Sequence, residues 1–143
     1  MQEQTSTLFQ TQFEEEVYLG LTEYPKHLSS KYFYDEKGDK LFQDIMNMPE
    51  YYLTDAEFDI FSTNTEAITQ LFAKGSSSFD LVELGAGDGK KTKILLQNLV
   101  DNTISFKYLP IDISQHVLDQ LSNSLAKEIP EVRIEPQLSL IHI

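Results

Sequence analysis

Three glycines within five residues, Gly85, Gly87 and Gly89, separate the apolar run FDLVEL from the amphipathic run KKTKILLQNLV. A short apolar run that meets glycines reads as a buried strand ending in a sharp turn, and Ile94, Leu95 and Leu99 then share one face of a helix. A second run, ISFKYLPIDI, reads as a strand ending at Asp112. Ser114 is placed to cap a helix over QHVLDQLSNSLAKEI, with Val117, Leu118, Leu121 and Leu125 inward, and a third strand is expected near VRIE, after Pro130. Alternation of strand and helix predicts a parallel sheet with right-handed crossovers, hence an α/β fold.

The first half has another rhythm. Leu8, Phe9, Phe13, Val17 and Leu19 recur at helical intervals over residues 5–20, and Gly20 is expected to end that helix. LTEYPKHLSSKYFYDEKG reads as irregular chain pinned by aromatic burial. DKLFQDIMNM is a short helix with Leu41, Phe42, Ile45 and Met48 on one face, stopped by Pro49. Phe58, Phe61, Ile68, Leu71 and Phe72 predict a longer helix, opened by a capping box of Thr54 and Glu57 and closed by Gly75. The GSSS stretch at 75–78 is the expected boundary between a helical region, 1–75, and the α/β region, 76–143.

Composition narrows the partners. At 143 residues and 41% hydrophobic content the chain has one domain's worth of core. Eleven basic against 23 acidic residues leave a net charge of −12, which repels a polyanion, so a small molecule is expected rather than nucleic acid. No cysteine is present, and His27, His116 and His142 are scattered, so no metal site is expected. No apolar run approaches the ~18 residues of a membrane span, and MQEQTSTLFQ lacks a signal-peptide pattern, which predicts a cytoplasmic location without membrane attachment.

The glycine loop can be matched against known phosphate and nucleotide loops. A phosphate-binding P-loop would put glycine at Leu84 and a hydroxyl at Lys91, and both positions fail. A dinucleotide loop needs a third glycine where Lys90 stands. What remains is E-x-G-x-G-x-G, Glu83 to Gly89, which resembles the first motif of class I S-adenosylmethionine-dependent methyltransferases. Asp112, at the end of the next strand, is placed to accept from ribose hydroxyls. The plainer readings are that Glu83 caps a backbone amide, that Asp112 belongs to a turn, and that Lys90 and Lys91 are solvated.

A longer signature lies upstream. SKYFYDEKGDKLFQDIMNMPEYYLTDAE, Ser30 to Glu57, with LVELGAGDGKKT and YLPIDIS following in order, resembles the histidine N-alpha-methyltransferase family, which trimethylates L-histidine on the way to ergothioneine. The resemblance runs from about Gly20 to Ser114 and implies a Rossmann-like class I methyltransferase sheet. It implies that Gly85, Lys91 and Asp112 contact S-adenosylmethionine, to which the loop motif adds Glu83 and Gly87, and that Tyr34 and Tyr51 contact L-histidine or a related amine. The plainer role for the two tyrosines is ordinary packing. GDGKK departs from the small polar residues usual after that loop, and PQLSLIHI departs from the family's continuation. Family members are longer, so this chain is expected to be an N-terminal fragment, inactive alone. No covalent nucleophile is required, and no catalytic residue is assigned. A non-catalytic adenosyl-binding module and a nicotinamide-dependent oxidoreductase are the alternatives.

Overall fold

The computed structural model describes residues 9–75 and 77–139. The chain forms two compact units, Met1–Tyr34 and Asp35–Ile143. In the first, helix α1 (Gln12–Thr22) opens with a capping box: the Thr11 hydroxyl accepts from the Glu14 amide, and the Glu14 carboxylate accepts from the Thr11 N–H. Leu8, expected within this helix, lies outside the described residues, as does His142. Gly20 does not end the helix but lies buried inside it. The chain folds back so that the His27 N–H donates to the Gly20 carbonyl at 2.9 Å, and a Cβ at Gly20 would fall 2.2 Å from the His27 oxygen. Close approach, rather than termination, is what this glycine allows. Glu16 accepts from Lys31 at 2.6 Å and from Tyr32 at 2.9 Å, tying a 3₁₀ turn, Ser30–Phe33, to α1.

The second unit begins with helix α2 (Glu36–Met46), three residues earlier than expected because Asp35 caps it by accepting from the Gly38 N–H at 2.7 Å. Helix α3 (Leu53–Phe72) has no capping box: it starts at Leu53, which leaves Thr54 inside the first turn, and the Glu57 carboxylate is drawn to the Lys91 ammonium instead. The remaining elements are β1 (Phe79–Leu84), α4 (Thr92–Asp101), β2 (Phe106–Asp112), α5 (Gln115–Glu128) and β3 (Gln137–Leu138). Ser114 caps α5 as expected, its hydroxyl accepting from Val117 N–H at 3.3 Å.

The three strands are parallel, in the order β1-β2-β3, with Phe79 opposite Phe106 and Leu84 opposite Ile111. The third strand lies slightly beyond its expected place. Ile134 of VRIE does bridge to Tyr108, but Pro136 offers no N–H, and the regular ladder resumes only at Gln137.

One face of the sheet makes the core, where Tyr108, Leu81 and Phe106 meet Leu96, Leu121, Leu125, Ile129 and Val132. Leu95 and Leu99 are buried on α4 as expected, and Leu96 joins them. Each fully buried leucine contributes on the order of 2 kcal/mol. On the other face Val82 and Leu84 are 53% and 60% exposed, and among the described residues no strand pairs with the edge of β1 away from β2. The compositional break at 75–78 falls within the second unit, where α3 packs on α4 through buried Thr69, whose hydroxyl donates to Asn98 at 2.6 Å.

Candidate functional site

Where β1 ends, the chain crosses over the end of β2. The N–H groups of Gly85 and Ala86 both donate to the Ile111 carbonyl, at 2.8 and 3.2 Å. The Gly87 N–H donates to the Asp112 carboxylate at 3.1 Å. Gly85, Gly87 and Gly89 hold φ of 67°, 57° and 66°, in the left-handed region that side-chain-bearing residues disfavour. Their surroundings differ. A Cβ on Gly85 or Gly87 would meet nothing within 4 Å, whereas one on Gly89 would fall 2.4 Å from Leu121 of α5. Gly85 and Gly87 therefore leave their backbone open to a ligand, while Gly89 lets the loop seat on the core. Ala86, between them, is buried.

Two carboxylates flank the loop. Asp112, at the tip of β2, is half-buried and accepts from Gly87 N–H on one oxygen and from Ser114 N–H, at 3.0 Å, on the other. Each oxygen keeps acceptor capacity for a hydroxyl. Behind it, the Ser114 hydroxyl donates to Asp39 of α2 at 2.7 Å. Glu83 faces the core side. Its Oε1 accepts from Thr92 at 2.5 Å and its Oε2 from the Tyr108 hydroxyl. Burial pushes its carboxyl above the ordinary carboxylate range, against the pull of those hydroxyls and of Lys91. Burial, with the Glu83 charge adding, holds the Tyr108 phenol well above the usual tyrosine range, so it stays a donor.

The two lysines have different surroundings. Lys90 is largely solvated and pairs with Asp88 at 3.0 Å, while the less exposed Lys91, at the mouth of α4, is paired with Glu57. Tyr51 lies in the turn between α2 and α3, its N–H donating to Met48 at 2.9 Å and its ring set edge-on to Phe42, 6.3 Å between centroids. Tyr34 follows the 3₁₀ turn of the first unit and is 46% exposed.

Glu83, Gly85, Gly87, Lys91 and Asp112 are thus brought together around one loop. Thr92, Tyr108, Glu57 and Asp39 belong to the same hydrogen-bonded surroundings and were missed in the sequence, where only the strand register could have set Tyr108 beside Glu83. The donor set suits a ligand carrying hydroxyls and a positive charge: open glycine backbone, a carboxylate with free lone pairs at the neighbouring strand end, and a second carboxylate at the root of the loop. S-adenosylmethionine has a ribose diol, an ammonium and a sulfonium, and fits these groups. Among the described residues no cluster of metal-ligating side chains is found, and no helix is long and apolar enough to cross a membrane.

Residues 13–139 match the family model described as histidine-specific methyltransferase, SAM-dependent. The chain is 37% identical over 120 residues to a histidine N-alpha-methyltransferase of Mycolicibacterium smegmatis, covering 84% of this chain and 36% of that protein. It is 35% identical over 119 residues to the protein of the same name from Mycobacterium tuberculosis, covering 83% and 36%. Ergothioneine biosynthesis protein 1 of Schizosaccharomyces pombe is 34% identical over 106 residues, 74% of this chain and 13% of that one. The chain thus spans about a third (36%) of the length of the bacterial relatives it matches. By a match that covers both units and the whole glycine loop, the chain belongs to the histidine-specific, S-adenosylmethionine-dependent methyltransferase family.

Proposed function

We propose that this chain is the cofactor-holding part of an N-methyltransferase that acts on the α-amino group of L-histidine, adding three methyl groups to give the betaine hercynine. The observation that carries the reading is the pairing of the open Gly85–Gly87 backbone with Asp112, fixed by two backbone N–H groups at the neighbouring strand end. Asp112 would accept from the ribose hydroxyls, the glycine backbone and Glu83 would take the amino acid end, and Lys91 would exchange its Glu57 partner for contact with the cofactor. Bound there, S-adenosylmethionine supplies an electrophilic methyl carbon on a sulfonium.

Displacement at that carbon is in line, so the protein must hold a neutral amine nitrogen at about 3 Å and keep water away. Tyr51 would orient the amine through its hydroxyl. Each of the first two transfers leaves an ammonium that must lose one proton before the next, and the third leaves a quaternary ammonium with none to lose. A cytoplasmic location and a small-molecule partner complete the proposal.

The chain alone would not complete this reaction. Val82 and Leu84 stand exposed on the open sheet face, and the aromatic turn at Tyr51 is flanked by exposed Tyr52 and Leu53. This exposure favours a second reading, in which the chain binds an adenosyl ligand without chemistry. The family match sets aside the nicotinamide alternative.

The test is transfer of labelled methyl to histidine, by the purified chain and by a chimera joining it to the remaining two thirds of the M. smegmatis relative. No transfer by the chain and transfer by the chimera are expected. Turnover by the chain alone would overturn the division of labour. A chimera that methylates another amine in preference to histidine would overturn the substrate.

A further inference from the structure

At the root of the glycine loop, two residues hold Glu83 without themselves belonging to the loop. Tyr108 is fully buried, and its register partner on β1 is Leu81, yet its hydroxyl reaches one repeat further along the strand to donate to Glu83 Oε2. Thr92, in the first turn of α4 and 5% exposed, donates to Oε1 at 2.5 Å. Phenylalanine would fill the volume of Tyr108, and valine that of Thr92. An apolar residue at position 83 would spare the chain a carboxylate whose burial is unfavourable enough to push its proton affinity up.

Buried charged clusters replaced by apolar residues of similar volume commonly leave proteins as stable or more so, so stability does not account for the trio. Its place does. Glu83 is two residues before Gly85, and the same carboxylate feels Asp112 and Lys91, the other groups around the loop.

Resting on the cofactor reading above, we infer that Tyr108 and Thr92 are positioning residues of that site: by engaging both oxygens of Glu83 they fix a negative charge at the root of the loop, where it attracts the ammonium of the cofactor's amino acid end. Neither hydroxyl needs to touch the ligand. Removing either lets the carboxylate turn, and a carboxylate that turns attracts a fixed cation less well.

The test is calorimetric titration of the 143-residue chain and its Tyr108→Phe, Thr92→Val, Thr92→Ser and Glu83→Gln variants, with melting curves for each. Two probes are used: S-adenosylhomocysteine, which carries the ammonium, and 5′-methylthioadenosine, which lacks it. Tyr108→Phe, Thr92→Val and Glu83→Gln are expected to weaken S-adenosylhomocysteine binding about tenfold, the scale of one hydrogen bond to a charged group. They should leave 5′-methylthioadenosine unchanged, and Thr92→Ser should bind like the unsubstituted chain. Unchanged S-adenosylhomocysteine affinity in Tyr108→Phe would overturn the inference, as would loss of both probes in proportion to a fall in melting temperature. Failure of the unsubstituted chain to bind either probe would overturn the cofactor reading itself, and the inference with it.

Discussion

The loop between β1 and α4 and the turn between α2 and α3 both carry residues assigned to a ligand, yet they are built differently. At the loop, Gly85, Ala86 and Gly87 donate to the end of β2, Gly89 is seated on Leu121, and Glu83 and Asp112 each have both oxygens engaged. At the turn, Tyr51 is steadied by Phe42, which is itself 50% exposed, and its neighbours Met48, Tyr52 and Leu53 are exposed too. The first is fixed by its own strands and by α5. The second holds its geometry through rings with apolar surface still to bury. On the proposed reading, cofactor recognition would be a property of the local fold, while recognition of the amine would depend on more of the protein than the turn supplies.

The contrast can be broken at its strongest point by removing core beneath the loop. Leu96 is fully buried, so Leu96→Ala should cost about 3 to 5 kcal/mol, and urea unfolding should show the fold largely lost. Phe42→Ala beside the turn should cost about 1 kcal/mol or less, since half of that ring is already in water. Equal losses would mean that the turn is as firmly built as the loop.

The three glycines sharpen the comparison within the loop. Gly89→Ala meets both a positive φ and Leu121, and should cost about 2 to 4 kcal/mol. Gly85→Ala meets only the positive φ, at about 1 to 2 kcal/mol, and should harm ligand binding more than stability. The reverse order in thermal melts would show that the loop is not seated on α5 through Gly89.

A smaller effect follows from the buried carboxyl. Because Glu83 has a higher proton affinity folded than unfolded, its contribution favours the fold below the ordinary carboxylate pKa and is lost as pH rises through the folded value. Glu83→Gln should therefore melt higher than the unsubstituted chain at neutral pH, and the gap should close as pH falls toward about 4. A gap that widens on acidification would reverse the sign assigned to that group.

The smallest effect is at Tyr51. Tyr51→Phe keeps the ring against Phe42 and should change stability by no more than about 0.5 kcal/mol, while lowering histidine affinity in the chimera. A clear fall in stability with normal histidine binding would make Tyr51 a packing residue.

The elements that position the loop were legible because they depend on local pattern: FDLVEL is β1, Ser114 caps α5, and β2 ends at Asp112. Misreadings arose where a distant partner decided. Gly20 looks like a terminator until His27 folds back upon it, and Thr54 with Glu57 spells a capping box until Lys91 claims the carboxylate. Pro136 was in plain sight, but its effect on the third strand depended on register. The loop's glycines and acids could be named from spacing alone. What Glu83 bonds to could not, since Tyr108 is 25 residues away and reaches it only through the pairing of β1 with β2.

Asp112, held by Gly87 and Ser114, is the proposed acceptor for the ribose of S-adenosylmethionine. Titration of the folded chain and its Asp112→Ala variant with S-adenosylmethionine tests it most directly. A loss of about 1.5 to 3 kcal/mol, tenfold or more in affinity, is expected, with far-UV circular dichroism unchanged. Equal affinity in a folded variant would contradict it.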